Sequence, residues 1–163
     1  MIDKGQEQTI KLMFESFLGY PDMTEYIKCI TKHQRKLTWD DKKTGIPFIG
    51  YVDAESDAFG NDWIMDIKVT KDADPNDWQR AAFNFDYHIQ MATYAEGYHR
   101  NWFRFPDFLH LCFDYNPPYN CAPIFIESKV MEAAREEWRA SVDAFKFCMD
   151  EELFNQGYEF RLV

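Results

Sequence analysis

The chain has 163 residues, of which 46% are hydrophobic and 18% aromatic, a composition that excludes an intrinsically disordered protein and suits one domain with a packed core. Its formal net charge of −10 argues against a broadly basic surface, although Lys28–Lys43, with six basic and two acidic residues, carries +4 and leaves −14 on the remainder. No apolar run approaches the ~18 residues of a membrane span and the first residues lack a secretory signal, so we expect a cytoplasmic protein without a membrane partner.

Hydrophobic periodicity predicts an opening helical segment, three strands, a helix, two strands and a final helix. The opening segment covers residues 7–34 and is interrupted at a Gly-Tyr-Pro sequence. The middle helix is predicted to run from Asp74 to a C-cap at Gly97, and the final helix to be capped by Ser128. The predicted strands span Lys36–Trp39, Ile46–Ala54, Trp63–Thr70, Phe108–Tyr115 and Ala122–Ile126.

These elements predict an α/β (α+β) protein in which helices flank one mixed sheet, and we expect a single domain over residues 1–163. On the third strand, the side chains on the face with Asp66 and Lys68 are predicted to point into a functional site, while the alternate face packs against the core. That alternate face consists of Trp63, Met65, Ile67 and Val69. On the final helix, a stripe that includes Trp138 and Phe145 is predicted to be core.

Three charged residues on neighbouring strands give the first functional indication. Asp66 and Lys68 lie two residues apart on an extended segment, so their side chains leave the same face. Asp53 ends the preceding strand 13 residues earlier, and a hairpin would place it beside them. Carboxylates suit Mg²⁺ or Mn²⁺, with the backbone carbonyl of Ile67 as a third candidate ligand and Lys68 holding or polarising the attacking water. On spacing alone, a solvated surface pair is the alternative.

The helix after the third strand carries a second candidate pair. Gln90 and Tyr94 are four positions apart in the sequence and therefore share one helical face. Their amide and hydroxyl groups could hydrogen-bond a phosphate or position the scissile strand. The alternative interpretation is a half-buried glutamine beside a core tyrosine.

Together, Gly50-x-x-Asp53, Asp66-x-Lys68 and Gln90-x-x-x-Tyr94 resemble the PD-(D/E)XK nuclease superfamily, and most closely its RecE-type branch, the exodeoxyribonuclease VIII-like exonucleases of phages and prophages. The resemblance spans residues 36–150, approximately. Further matching segments are Thr44-Gly45-Ile46, Asp66-Ile67-Lys68-Val69-Thr70, Asp72-Ala73-Asp74-Pro75 and Tyr87-His88-Ile89-Gln90.

The resemblance implies a restriction-endonuclease-like sheet, metal binding by Asp53 and Asp66, catalysis by Lys68, and catalytic or substrate-binding support from Gln90 and Tyr94. It implies a Mg²⁺-dependent (or Mn²⁺-dependent) exonuclease that hydrolyses linear double-stranded DNA from its ends in phage-type recombination. It also implies a ring-shaped homo-oligomer that works beside a single-strand annealing recombinase.

One departure from the family keeps a second function open. The family has an upstream helix with a Gly-x-x-x-His motif, and nothing before Asp53 matches it, because His33 lacks the preceding glycine. We therefore expect the N-terminal helical segment 1–34 to be truncated or atypical. The alternative function is a catalytically weak or inactive nuclease-fold module that binds DNA ends or a partner protein. A third hypothesis, an acidic protein that mimics DNA, rests only on the charge.

Other polar segments are weaker candidates for DNA contact. Lys71, just past the third strand, is the best-placed candidate phosphate contact, while Lys28–Lys43 could follow a DNA backbone or form a solvated face. The segment Tyr98–Phe105 is predicted to be a loop anchored by its aromatic side chains, with base stacking as the alternative. Glu55 shares the face of Asp53 and is predicted to lie at the surface, with a carboxylate that supports the site from behind as the alternative. The four cysteines form no CxxC pair, so we expect reduced thiols. They also do not reproduce the clustered C-terminal cysteines with which some members of the resembled family hold an iron–sulfur cluster, so we expect no such cluster.

Overall fold

The structure, a computed structural model, describes residues 3–57 and 61–155, with the side chains of 21–23 and 155 excepted. Five strands form one sheet in the order β1-β2-β3-β4-β5. Strands β3 and β4 are parallel, and the other neighbours are antiparallel. The elements are α1 (Lys4–Leu18), α2 (Pro21–Lys28), β1 (Ile30–Asp40), β2 (Pro47–Ser56), β3 (Trp63–Thr70), α3 (Pro75–Asn84), α4 (Tyr87–Trp102), β4 (Asp107–Asp114), β5 (Cys121–Phe125), α5 (Ser128–Asp150) and a 3₁₀ turn (Leu153–Asn155).

Helices cover both faces of this sheet, which confirms the predicted α/β (α+β) class. The parallel pairing of β3 with β4 requires a crossover, and α3 and α4 supply it. Alternation along β3 separates the two layers: Ile64 packs against Met91 and Ala95 of α4, whereas Met65 packs with Phe17 of α1. Helix α5 covers α4 from outside, through a core cluster that contains Trp138.

The predicted helical segment 7–34 is wrong at its C-terminal end. Helix α2 ends at Lys28, and β1 begins at Ile30 and continues for 11 residues to Asp40, well before the predicted strand start at Lys36. Most of the first residues of β1 are exposed and polar, so they show no apolar alternation. Pairing with β2 holds them in the sheet, which is a tertiary effect that local pattern does not report.

The single helix predicted from Asp74 to Gly97 is two helices. Asp86 has a left-handed backbone conformation (φ 54°) between them, so α4 starts in a new direction. Gly97 is not a C-cap but lies inside α4, where a Cβ would be 2.5 Å from the Trp39 ring. The predicted loop at Tyr98–Phe105 is also wrong in its first half, because α4 continues to Trp102.

Two predictions for the final helix need correction. Ser128 is its first residue, and Glu127 occupies the N-cap position without a side-chain hydrogen bond. Phe145 is 48% exposed and packs against Phe154 of the 3₁₀ turn, whereas Trp138 is buried as predicted.

The alternate face of β3 is only half covered. Ile67 and Val69, predicted to pack, are 50% and 60% exposed, because α1 contacts the sheet mainly through Phe17. They line an apolar groove of about 1000 Å³ together with Ile10 and Phe14 of α1. The predicted core role therefore holds only for the N-terminal half of the strand.

All four cysteines are free thiols: Cys29, Cys112, Cys121 and Cys148. Cys112 is fully buried, and this burial raises the pKa of its thiol to about 12.

Among the residues that the structure describes, no helix combines the length and the apolar character that crossing a membrane requires.

Candidate active site

The site begins where β2 and β3 stop pairing. Their ladder covers Ala54 to Ser56 on β2, and Asp53 is the next residue outward. The Asp53 Oδ2 atom accepts a hydrogen bond from the backbone N–H of Ile67 at 2.9 Å. A carboxylate therefore takes the bond that a backbone carbonyl would make in a continued ladder, and it lies at the opening between the two strands.

A residue of β1 contacts the other oxygen of this carboxylate. The side-chain amide of Gln34 donates to Asp53 Oδ1 at 3.2 Å. Gln34 has φ 48°, in the left-handed region that non-glycine residues seldom adopt. Strained backbone of this kind is concentrated at functional sites, so Gln34 belongs to the description of this one.

Asp66 and Lys68 form an ion pair on β3, with 2.5 Å between Lys68 Nζ and Asp66 Oδ2. Asp66 is only 5% exposed. Burial raises the pKa of the Asp66 carboxyl and the negative charge of Asp53 adds to this rise, whereas the hydrogen bond and charge of Lys68 oppose it. An adjacent divalent cation would stabilise the same ionised form that Lys68 now stabilises.

Helix α4 continues the polar contacts of Lys68. The ammonium donates to Gln90 Oε1 at 2.8 Å, and the Gln90 amide donates to the Tyr94 hydroxyl at 3.1 Å. Burial raises the pKa of Tyr94, and the negative charges of Asp66 and Asp53 raise it further. The phenol is therefore a hydrogen-bonding group at neutral pH, not an ionised one.

Two neighbours fix this arrangement from the sides. Lys68 Nζ lies 4.4 Å from the centroid of the Tyr87 ring, a cation–π contact at the first residue of α4. The Tyr87 ring is stacked on Trp78 of α3 at 5.3 Å. Gly50 packs against the Tyr94 ring, where a Cβ would meet Cε1 at 3.0 Å, so the glycine of the Gly-x-x-Asp motif makes room for this tyrosine.

A histidine lies behind the acidic pair. His110 of β4 is the register partner of Asp66, and it is 0% exposed. Its Nε2 is 3.8 Å from Asp66 Oδ2. Burial and, secondarily, the positive charge of Lys68 lower the pKa of His110 to about 3, so the imidazole is neutral at physiological pH.

The donor set fits a hard divalent cation. Asp53 and Asp66 supply carboxylate oxygens from neighbouring strands, and the Ile67 carbonyl lies on the same stretch of backbone. Within the described ranges, 3–57 and 61–155, no group of three or more His, Cys, Asp and Glu residues could hold a metal ion. Mg²⁺ needs fewer, because it is commonly bound through one or two carboxylates and keeps several waters.

The structure brings the five predicted catalytic residues together. One continuous set of contacts and charge interactions joins Asp53, Asp66, Lys68, Gln90 and Tyr94. Lys71 is exposed immediately beyond β3.

Sequence reasoning missed three neighbours of these residues. His110 left a signal, as a polar residue inside an apolar strand, and Tyr87 begins a segment already singled out. Gln34 left none, because its placement depends on a left-handed backbone and on the register with β2.

The basic segment Lys28–Lys43 is partly neutralised inside the protein. Arg35 lies 3.4 Å from Glu55, and its guanidinium is 4.3 Å from the centroid of the Trp102 ring. Glu55, predicted at the surface, is only 5% exposed, and Lys32 and Arg35 of β1 lie beside its carboxylate. Lys43 pairs with Asp143 of α5 at 2.6 Å. Several of these cations therefore serve the fold, which weakens the idea of a continuous DNA-tracking face.

A mixed sheet with two carboxylates and a lysine where neighbouring strands diverge defines a PD-(D/E)XK-like nuclease fold. Comparison with protein families agrees. The chain belongs to the family described as PDDEXK-like domain of unknown function (DUF3799), whose model matches residues 22–157. PDDEXK-like nucleases generally use divalent metals, in agreement with the donor set described above.

Solved structures give the same fold. One similar structure is the crystal structure of a "Putative exonuclease" from Eubacterium rectale, with a TM-score of 0.72 and 13% sequence identity. The alignment covers 98% of this chain and 64% of the neighbour, so the chain spans less than two thirds of that protein. At this identity the likeness shows the fold alone. No curated protein matches the chain.

Proposed function

We propose that this protein is a divalent-metal-dependent deoxyribonuclease that hydrolyses phosphodiester bonds of linear double-stranded DNA from its ends. The observation that carries the proposal is the contact of 2.5 Å between Asp66 and Lys68, beside Asp53 at the opening between β2 and β3. The set is complete, Asp66 and Lys68 are in contact and the charge of Asp53 acts on Asp66, whereas a binding module has no chemical need for all three.

Asp53 and Asp66 would hold Mg²⁺ or Mn²⁺, with the Ile67 carbonyl as a further ligand. When bound, the cation supplies Lewis-acid polarisation of the phosphate and a lower pKa for a water molecule. Lys68 holds the attacking water and stabilises the negative charge that develops as water adds to phosphorus and the bond to the leaving sugar oxygen breaks. Its contact with Gln90 fixes the ammonium in position for that role.

Gln90 and Tyr94 are proposed to bind the scissile strand. Both side chains carry hydrogen-bond donors; Gln90 contacts Lys68, and Tyr94 contacts Gln90 on the same face of α4. Lys71, exposed past the end of β3, is proposed as a phosphate contact outside the site. Such contacts position the duplex without reading its sequence.

The finer assignment rests on the motif resemblance. The string from Gly50 to Tyr94 resembles RecE-type exonucleases, and the neighbour named a putative exonuclease has the same fold. This supports a role in phage-type recombination, DNA ends as substrate, a ring-shaped homo-oligomer, and a single-strand annealing recombinase as partner. Analytical ultracentrifugation tests the ring, since a monomeric mass at micromolar concentration would contradict it.

The activity is tested with end-labelled linear duplex, incubated with Mg²⁺, with Mn²⁺ and without metal. We expect metal-dependent loss of label with the parent and none with Asp66→Ala. Asp150→Ala is the matched control, because it removes an exposed carboxylate that pairs with Lys146 of its own helix. A covalently closed circle of the same sequence separates exonuclease from endonuclease.

The same loss of label over time with the parent and with Asp66→Ala would contradict the proposal. In that case, a gel-shift measurement with the same linear duplex tests the alternative, a nuclease-fold module that binds DNA ends without cleaving them. Retained binding of ends by both proteins would support that alternative.

A further inference from the structure

His110 is a buried polar residue with no hydrogen-bond partner among the described residues. Neither of its ring nitrogens is hydrogen-bonded, although the side chain is 0% exposed. Leaving a buried polar group unpaired destabilises a fold, so an apolar residue would be the more stable choice at this position on packing grounds. The strand around it, from Leu109 to Cys112, is otherwise apolar and buried.

One polar group close to the ring is the carboxylate of the candidate metal ligand Asp66. The two residues are register partners on β3 and β4, and Nε2 of His110 is 3.8 Å from Oδ2 of Asp66. On its other side, the imidazole meets Trp78 edge to face at 5.2 Å between ring centroids. The ring is therefore held between an aromatic wall and one carboxylate oxygen.

That same oxygen now contacts the Lys68 ammonium at 2.5 Å. A cation held by Asp66 would weaken the pairing of Asp66 Oδ2 with the Lys68 ammonium, which keeps its bond to Gln90 at 2.8 Å. Asp66 Oδ2 would then be open to another donor. A shift of about 0.8 Å would bring His110 Nε2 to an ordinary N–H···O distance of ~3.0 Å.

We propose that His110 is a positioning residue for Asp66, whose Nε2–H donates a hydrogen bond to Oδ2 and orients the carboxylate toward a divalent cation. The inference rests on the proposed function. A neutral imidazole has one N–H and so is a suitable donor, and hydrogen bonds of this kind to metal ligands typically change metal affinity 10- to 100-fold when removed.

The test is a titration with Mn²⁺ alone, with free Mn²⁺ followed by electron paramagnetic resonance. His110→Leu has a similar volume and no donor, and we expect its Kd for Mn²⁺ to rise about 10- to 100-fold. His110→Gln places an amide N–H near the position of Nε2, and its affinity should return toward that of the parent. His88→Leu is the control, because His88 is also buried but pairs with Glu137, away from the site.

Unfolding by urea separates positioning from a structural role. Because the ring nitrogens of His110 have no hydrogen-bond partner in the described part of the chain, His110→Leu should be at least as stable as the parent. A less stable leucine variant with the Mn²⁺ affinity of the parent would overturn the inference, since His110 would then be a structural residue.

The parent protein gives an independent readout if the leucine variant does not fold. With ¹⁵N-labelled histidine, added Mg²⁺ should move the Nε2 signal of His110 to that of a hydrogen-bonded donor, and an unchanged signal would overturn the inference. A parent that binds no Mn²⁺ would overturn the proposed function and this inference with it. A parent that binds Mn²⁺ as tightly as His110→Leu does would overturn the inference alone.

Discussion

The Asp53 carboxylate accepts the backbone N–H of Ile67 at 2.9 Å, one position beyond the last paired residues of β2 and β3. This bond joins the two strands where they would otherwise separate. It also fixes the direction of one carboxylate relative to Asp66, which is the residue before Ile67. Fold and site are therefore linked through a single hydrogen bond, and its two roles can be separated by substitution.

Asp53→Asn and Asp53→Ala should separate charge from hydrogen bonding. Asparagine keeps an oxygen that accepts the Ile67 N–H, so we expect nearly the stability of the parent but loss of most Mn²⁺ affinity. Alanine removes the acceptor as well, and should lower the free energy of unfolding by about 1 kcal/mol. Urea unfolding and Mn²⁺ titration check both. Full metal affinity in Asp53→Asn would contradict the assignment of Asp53 as a ligand.

The contacts from Lys68 through Gln90 to Tyr94 predict graded effects on cleavage. Gln90→Met keeps the side-chain length but removes the oxygen that accepts from Lys68 at 2.8 Å, so the ammonium loses a positioning contact. We expect kcat on linear duplex to fall about 10-fold or more. Tyr94→Phe removes only the hydroxyl that accepts from Gln90 at 3.1 Å, one contact further from Lys68, and should lower kcat less.

Single-turnover cleavage measures this step without product release. Lys68→Met serves as the reference, because it removes the ammonium itself. A Tyr94→Phe variant that loses as much activity as Lys68→Met would contradict the graded order, and would indicate direct contact of Tyr94 with the substrate.

Much of this site could be predicted because its geometry is local. Asp66 and Lys68 share a strand, Gln90 and Tyr94 share a helical face, and those periodicities survive in any fold. The hairpin that brings Asp53 alongside follows from a turn-rich stretch between two strands. The strand β3 was predicted with the bounds that the structure gives it.

The parts that sequence did not predict depend on distant pairing and on backbone conformation. The N-terminal part of β1 has few apolar residues and is a strand because β2 pairs with it. The break between α3 and α4 depends on a left-handed Asp86, which no periodicity reports. Ile67 is exposed because α1 covers only part of β3, and the alternation of apolar and polar residues along the strand does not predict how much of it a helix covers.

Gly97→Ala should destabilise the fold through one close contact. The glycine was predicted to be a helix C-cap, but a Cβ there would lie 2.5 Å from the Trp39 ring, below the range of real contacts. Overpacking of this kind costs typically about 1–3 kcal/mol. Urea unfolding measures it, and the double variant with Trp39→Phe should recover part of the loss, because the smaller ring leaves room. Strictly additive effects would contradict the contact.

Asp41→Asn should change the response of stability to acid. Asp41 is 1% exposed, and Arg139 donates two hydrogen bonds to its carboxylate, at 2.6 and 3.0 Å. The bonds from Arg139, and less strongly those from Thr44, hold the pKa of Asp41 well below its usual range, although burial opposes them. A depressed pKa stabilises the fold above the unfolded-state pKa of about 3.9, and this contribution is lost as pH falls below that value.

At pH 7, we therefore expect Asp41→Asn to lower the free energy of unfolding by about 2–3 kcal/mol. This is a small value for breaking a buried ion pair, because the Arg139 side chain is 28% exposed and partly solvated. Toward about pH 2 the difference from the parent should shrink, because the unfolded parent then gains a proton on Asp41 while the folded parent, with its lowered pKa, does not, and this shifts the equilibrium toward unfolding. Urea unfolding at several pH values measures this trend. Asp150→Asn, which removes an exposed partner of Lys146, should stay within about 0.5 kcal/mol of the parent. A difference for Asp41→Asn that is constant with pH would mean that its cost comes from packing, not from charge.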